Sequence, residues 1–176
     1  MRDRSSQRET LKMLYETYSN DVYRYAFATL GDSSEAHDVV QEVFIRAYRA
    51  INNFRHDATA KTWIMTIARN YIFDVLRKQR KDRQFLSQSE LPDIGDEATD
   101  VSVVLEVEEA LQELKDDYRQ VVSLRYIDNL SIKETASVLG WSEKKVQNAA
   151  HRAILQLREV LGSDFEEVKR INEIRT

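Results

Sequence analysis

Apolar residues return at helical intervals along most of this chain, and the breaks in that rhythm divide it into segments. Leu11, Leu14, Tyr15, Tyr18, Val22, Tyr25, Ala26 and Leu30 follow one helical face, and Gly31 stops the run. Asp32 with Glu35 reads as a capping box, opening a second helix with Val39, Val40, Val43, Phe44, Ala47, Tyr48 and Ile51 on one side. A loop of about Asn52 to Lys61 follows. The third helix is the clearest, with Trp63, Ile64, Ile67, Ala68, Tyr71, Ile72, Val75 and Leu76 in a doubled stripe. It ends in the basic run Arg77-Lys78-Gln79-Arg80-Lys81-Asp82-Arg83, where cations suit the negative end of the helix dipole.

The rhythm is lost between Gln84 and Asp100, a polar, acidic stretch with Pro92 and Gly95 that reads as a flexible linker. It resumes in a helix from about Val101 to Leu114, another from about Tyr118 to Ile127, and an Asp128-Asn129 turn. Then comes LSIKETASVLGWSEKKVQNAAHRAILQLR, from Leu130 to Arg158. Ser131 and Glu134 form a capping box on a short helix whose apolar side is Ile132, Ala136 and Leu139. Gly140 supplies the positive φ of a tight helix–helix turn. Ser142 caps a longer helix with Val146, Ala150, Ala153, Ile154, Leu157 and Leu161 inside. Lys144, Lys145, Gln147, Asn148, His151 and Arg152 are left on its outer face, the layout of a helix-turn-helix that offers donors and acceptors to a DNA groove. A helical hairpin with a solvated polar face is the plainer alternative. Beyond Gly162 the tail is charged, with Phe165, Val168 and Ile171 at loosely helical spacing.

Composition narrows the class. One proline and four glycines in 176 residues disfavour a sandwich or barrel and favour an all-α fold of two small helical domains. The expected division is 1–83, a linker at 84–100, and 101–176 with the helix-turn-helix. The absence of cysteine removes disulfides, thiolate ligands and a cysteine nucleophile. None of His37, His56 and His151 follows a glutamate by three residues, so the di-iron signature is missing; no metal, cofactor or catalytic site is expected. No apolar run reaches the roughly 20 residues of a membrane span, and MRDRSSQRET is no signal peptide, which predicts a soluble cytoplasmic protein without membrane insertion.

The net charge of −4 seems wrong for DNA binding until it is mapped. Eleven carboxylates and one lysine between Glu90 and Asp117 give that segment −10, leaving the rest of the chain at +6. Two further surfaces resist a purely structural reading. Asp38, Gln41, Glu42 and Ile45 share a side of the second helix away from its apolar stripe, a charged face with an exposed isoleucine that suits helix docking. Phe54, Arg55 and His56 in the loop, with Thr66, Arg69, Asn70 and Phe73 off the third helix's main stripe, combine groups that stack on and hydrogen-bond unpaired bases. Alternatively, Phe54 and Phe73 are core residues beside a basic helix end.

These motifs, in this order, resemble bacterial sigma factors of the extracytoplasmic-function (ECF) group. SSEAHDVVQEVFIRAY, with its D-x-x-Q-E-x-F pattern at Asp38, Gln41, Glu42 and Phe44, resembles the family's core-polymerase-binding segment. FRHDATAKTWIMTIARNYIFDVLRK resembles the segment that opens and reads the minus-ten promoter element, and the helix-turn-helix resembles the minus-thirty-five reader. The resemblance implies a non-catalytic, stress-response initiation factor with core RNA polymerase, promoter DNA and an anti-sigma factor as partners. Asp38, Gln41, Glu42 and Ile45 would face the polymerase. Asn70 would line a pocket for an extruded base, with the Phe54–Lys61 loop, including Arg55 and His56, as its other wall and Arg69 beside it. Arg77, Lys78, Arg80 and Lys81 would follow phosphates. Gln147, Asn148 and Ala149 stand where the family commonly has more basic or hydroxyl residues, which implies weaker phosphate anchoring there, with Arg152 keeping its cation. Two other functions fit parts of the pattern: a stand-alone helix-turn-helix regulator, and a sigma mimic that sequesters an anti-sigma factor.

Overall fold

The computed structural model of the chain describes residues 4–54, 59–85 and 101–162. They form seven α-helices: α1 (Arg4–Leu30), α2 (Ser33–Ala50), α3 (Ala60–Phe85), α4 (Val101–Glu113), α5 (Asp116–Val122), α6 (Ile132–Leu139) and α7 (Glu143–Leu161). A 3₁₀ turn, Ile51–Asn53, follows α2, and a π-helical turn, Ser123–Ile127, follows α5. The fold is all-α, as expected, and no strand occurs among the described residues. The predicted linker, apart from Gln84 and Phe85 at the end of α3, and the charged tail lie outside the described residues. Among the described residues, no helix is long and apolar enough to cross a membrane.

In the first half, α1, α2 and α3 close around Val22, Tyr25, Val39, Val43, Ile64 and Met65, all at most 1% exposed. Each such burial stabilises the fold by about 1.5–3 kcal/mol before entropy is charged against it. Gly31 ends α1 at φ +76°, its N–H donating to the Phe27 carbonyl at 2.8 Å. A Cβ there would also lie 3.0 Å from the Gln112 side chain. The predicted Asp32–Glu35 box is half made. The Asp32 carboxylate accepts from the Glu35 N–H at 2.7 Å, but the Glu35 carboxylate turns to accept from Gln79 of α3 at 2.7 Å. The basic run lies within α3, which continues to Phe85.

The second half departs from its predicted outline at one place. The helix expected through Ile127 is α-helical only to Val122, then widens into the π turn, with the Asp128 N–H donating to the Ser123 carbonyl at 2.9 Å. Asn129 follows at φ +54°. This turn carries Asp128 inward, where it is 1% exposed.

The two halves pack on each other. One apolar cluster joins Val22, Tyr25, Ile64 and Met65 to Val121, Leu124, Leu130 and Val146, and a second joins Ala28 of α1 to Ala110, Leu111 and Leu157. Polar bonds cross the same seam. Tyr25 Oη donates to Gln120 Oε1 at 3.2 Å, and Gln112 Nε2 to the Ala28 carbonyl at 3.2 Å. Arg119, 9% exposed, donates to the carbonyls of Leu111, Gln112 and Leu114 at the end of α4 and to Thr29 of α1, at 2.7–2.9 Å. The last carbonyls of a helix have no intrahelical partner, and a buried helix end needs such a donor. Burial pushes the Arg119 guanidinium below its usual value.

Candidate nucleic-acid interface

Burial of the α2 stripe turns the opposite side outward. Asp38 and Gln41 are exposed, and Ile45 is 46% exposed beside Tyr48 at 38%. Glu42 is half-buried, its carboxylate accepting from Arg46 Nε at 2.7 Å, while the Arg46 guanidinium lies 4.7 Å over the Tyr71 ring. The four predicted residues therefore share one outward face. Tyr48, expected on the inner stripe, joins its edge.

On α3 the candidate residues divide. Phe54 is half-buried with its ring centroid 4.7 Å from that of Trp63. Arg55 and His56 lie outside the described residues. Lys61 is not a loop residue: it sits in the first turn of α3, donating to the Asp128 carbonyl at 2.7 Å and pairing with Asp21 at 2.9 Å. Farther along, Phe73 is 41% exposed and is not core. The Arg69 and Arg77 guanidinium groups approach its ring at 5.1 and 5.2 Å, and Arg69 Nη1 donates to Asn70 Oδ1 at 3.1 Å. Asn70 is exposed, with its amide oxygen engaged by Arg69. The result is an outward platform of one aromatic ring, one amide and two guanidinium groups. Lys78 and Lys81 are exposed beyond it, Arg77 also pairs with Asp74 at 3.4 Å, and Arg80 is paired with Asp116 of α5.

The helix-turn-helix follows its sequence signals closely. Ser131 N–H donates to the Glu134 carboxylate at 2.8 Å, and Glu134 N–H to Ser131 Oγ at 3.1 Å. The bond from the Ser131 backbone, more than any other influence, holds the Glu134 carboxyl below its usual range. Gly140 takes φ +67°, and Ser142 Oγ accepts from the Lys145 N–H at 3.2 Å. Lys144, Lys145, Gln147, Asn148, His151 and Arg152 are all exposed. Lys145 lies 3.7 Å from the Trp141 ring centroid, and Arg152, Asn148 and Lys144 line an open cleft of about 410 Å³ with Asp117, Tyr118 and Trp141. Ala149 differs from the expectation. It is 7% exposed and belongs to the buried side of α7, so a cation missing there is not missing from the helix's open face.

Sequence reasoning missed Asp128 and Arg119. Asp128 reads as a turn residue, and the π turn that buries it has no periodic signature; Arg119, between Tyr118 and Gln120, is marked by no local pattern.

Comparison with known proteins agrees with this geometry. Residues 14–82 match the family model for Sigma-70 region 2, and residues 105–157 match that for Sigma-70, region 4. The chain is 36% identical over 162 residues to the ECF RNA polymerase sigma factor SigX of Bacillus subtilis (strain 168), covering 85% of this chain and 82% of SigX. It is 31% identical to SigM of the same organism, covering 85% of this chain and 93% of SigM. Among solved structures, CnrH in complex with the cytosolic domain of CnrY aligns at a TM-score of 0.69 with 25% identity, over 89% of this chain and 90% of that one. The sigma factor RpoE in complex with the anti-sigma factor NepR from Bartonella quintana shares the fold, with a TM-score of 0.74 at 21% identity, over 89% and 99%. Two matched regions in sequence order, with 36% identity to SigX over 85% of the chain, place the chain in the ECF RNA polymerase sigma factor family.

Proposed function

We propose that the chain is a non-catalytic initiation factor that acts in the cytoplasm, binding core RNA polymerase and directing it to promoters. In this reading residues 1–83 bind core and capture unpaired minus-ten bases, 84–100 connect, and 101–176 hold the minus-thirty-five element. The observation that carries it is the α3 platform, Asn70 with Arg69, Phe73 and Arg77, standing outward in the same chain as a helix-turn-helix with an exposed polar reading face. Extruding a base costs a few kcal/mol, and an amide flanked by guanidinium and aromatic groups supplies edge contacts and stacking that offset it. Arg77, Lys78 and Lys81 continue the cationic track, adding affinity without sequence preference.

Asp38, Gln41, Glu42 and Ile45 are the core-binding set, an exposed apolar side chain inside a charged rim. The sigma factor RpoE, which shares this fold, is solved in complex with the anti-sigma factor NepR, which supports control of this chain by an anti-sigma factor. Pull-down of purified core polymerase, followed by transcription from a promoter library, tests the reading. Retention of core with defined start sites is the expected result. Promoter binding without core retention would instead identify a stand-alone regulator and overturn it.

A further inference from the structure

Promoter elements named for positions ten and thirty-five lie about 25 base pairs apart, about 85 Å along the duplex at 3.4 Å per pair. In the structure the helices assigned to them belong to one packed body. Lys61 in the first turn of α3 bonds the Asp128 carbonyl at 2.7 Å, three residues before the cap of α6. A chain in this state cannot touch both elements, so on the sigma reading above the halves must part.

The seam carries a device suited to parting. The Asp128 side chain is wholly buried between the halves. One oxygen accepts from Arg24 of α1 at 3.2 Å, and the other has no hydrogen-bond partner among the described residues. Asp21, also from α1, pairs with both Arg24 and Lys61. The Tyr25 hydroxyl of α1 lies within electrostatic reach of Asp128, and Glu134 of α6 within reach of Lys61. Asp21 holds Arg24 and Lys61 in place from within the first half, while the Arg24–Asp128 pair and the bond from Lys61 to the Asp128 carbonyl cross the seam, so parting the halves breaks both.

We propose that the Asp21–Arg24–Lys61–Asp128 cluster is a latch that holds the free chain closed, withholding Lys61 from DNA until polymerase draws the halves apart. Titration of the latch follows from its burial. Desolvation, and to a lesser degree the charge of Asp21, push the Asp128 carboxyl up to about 7, against the opposing pull of Arg24 and Lys61. Once undocked it faces water and returns toward its ordinary 3.8. Between about pH 4 and 7 the closed form therefore holds a proton that the open form has released, and the closed-to-open ratio rises by up to about tenfold per unit as pH falls. Above about 7 both forms are ionised and the preference levels off at its weaker value.

The chain contains no cysteine, so Thr17→Cys on α1 and Lys133→Cys on α6, both exposed, accept a fluorescent donor and acceptor on either side of the latch. The expected result is high energy transfer in the free full-length chain at pH 6, less at pH 8, and a further fall on saturation with core polymerase. Arg24→Glu, or Arg24→Gln should the first variant lose helicity, lowers the closed-to-open ratio at least about tenfold. Asp128→Asn, which cannot ionise, abolishes the difference between pH 6 and pH 8. Low transfer in the unmodified latch at both pH values overturns the proposal, as does transfer indifferent to Arg24 or a pH response that survives Asp128→Asn. Failure of core to bind the labelled chain at all strikes the sigma reading, not the latch, and is seen separately in the polymerase titration.

Discussion

Replacing Arg119 with methionine removes a charge but keeps most of the volume, which makes it a clean test of what holds the second half together. In the structure one guanidinium satisfies four carbonyls: Leu111, Gln112 and Leu114 at the end of α4, and Thr29 of α1. Methionine offers none of them a donor, and the site is too enclosed for water to serve all four. At about 1 kcal/mol for each buried carbonyl left bare, Arg119→Met costs about 4 kcal/mol. That is a large part of the ~5–15 kcal/mol by which such folds are stable. Urea unfolding followed by far-ultraviolet circular dichroism measures it. With a slope near 2 kcal/mol per molar, the midpoint drops by about 2 M. A drop of less than about 0.5 M would show that the carbonyls find other partners and that Arg119 is not the fastening described. The measurement belongs near neutral pH, where the guanidinium stays charged despite its lowered pKa.

Three further outcomes are expected. Gln41→Ala with Glu42→Ala weakens core binding about tenfold or more in a competition assay while helicity is unchanged, because both side chains lie outside the α2 core; equal affinity would remove that face from the polymerase contact. Asn70→Ala slows open-complex formation on duplex promoters more than on pre-melted ones, read by permanganate footprinting; equal losses on both templates would argue against a melting role. Arg152→Ala reduces upstream footprint protection and flattens the slope of log affinity against log salt by about 0.9, the signature of one lost phosphate contact; an unchanged slope would take Arg152 off the DNA.

Much of the fold is legible in the chain because its helices advertise themselves. Val39, Val40, Val43, Phe44 and Ala47 repeat at helical spacing and are buried as that spacing requires. Ser131, Gly140 and Ser142 specify their caps by local hydrogen bonding alone, so no tertiary knowledge is needed. The outward faces of α2 and α7 follow by subtraction. The contact between halves is different in kind. Arg119, Gln120 and Asp128 are polar residues whose partners lie 90 or more positions away in Thr29, Tyr25 and Arg24, and no local period encodes such a pairing. Lys61 illustrates the same limit: assigned to a loop because the apolar rhythm lapses there, it begins a helix and spends its charge across the seam. Ala149 falls on the buried side of α7 for a simpler reason, since a helical stripe over a hundred degrees wide has edges that the sequence alone does not locate.

The common core has a consequence for recombination. Two halves that match separate family regions invite exchange. Here, however, Ala28 is walled by residues of α4, α5 and α7, and Tyr25 is completed by Gln120. A hybrid that grafts another relative's second half onto residues 1–83 inherits a foreign counterface for Tyr25, Ala28 and Thr29. It would lose the fit between the halves and leave the apolar side of α1 without its matched counterface. A change at this seam in α1 therefore acts on α5 as well, and the Tyr25–Gln120 bond is where the two are physically coupled.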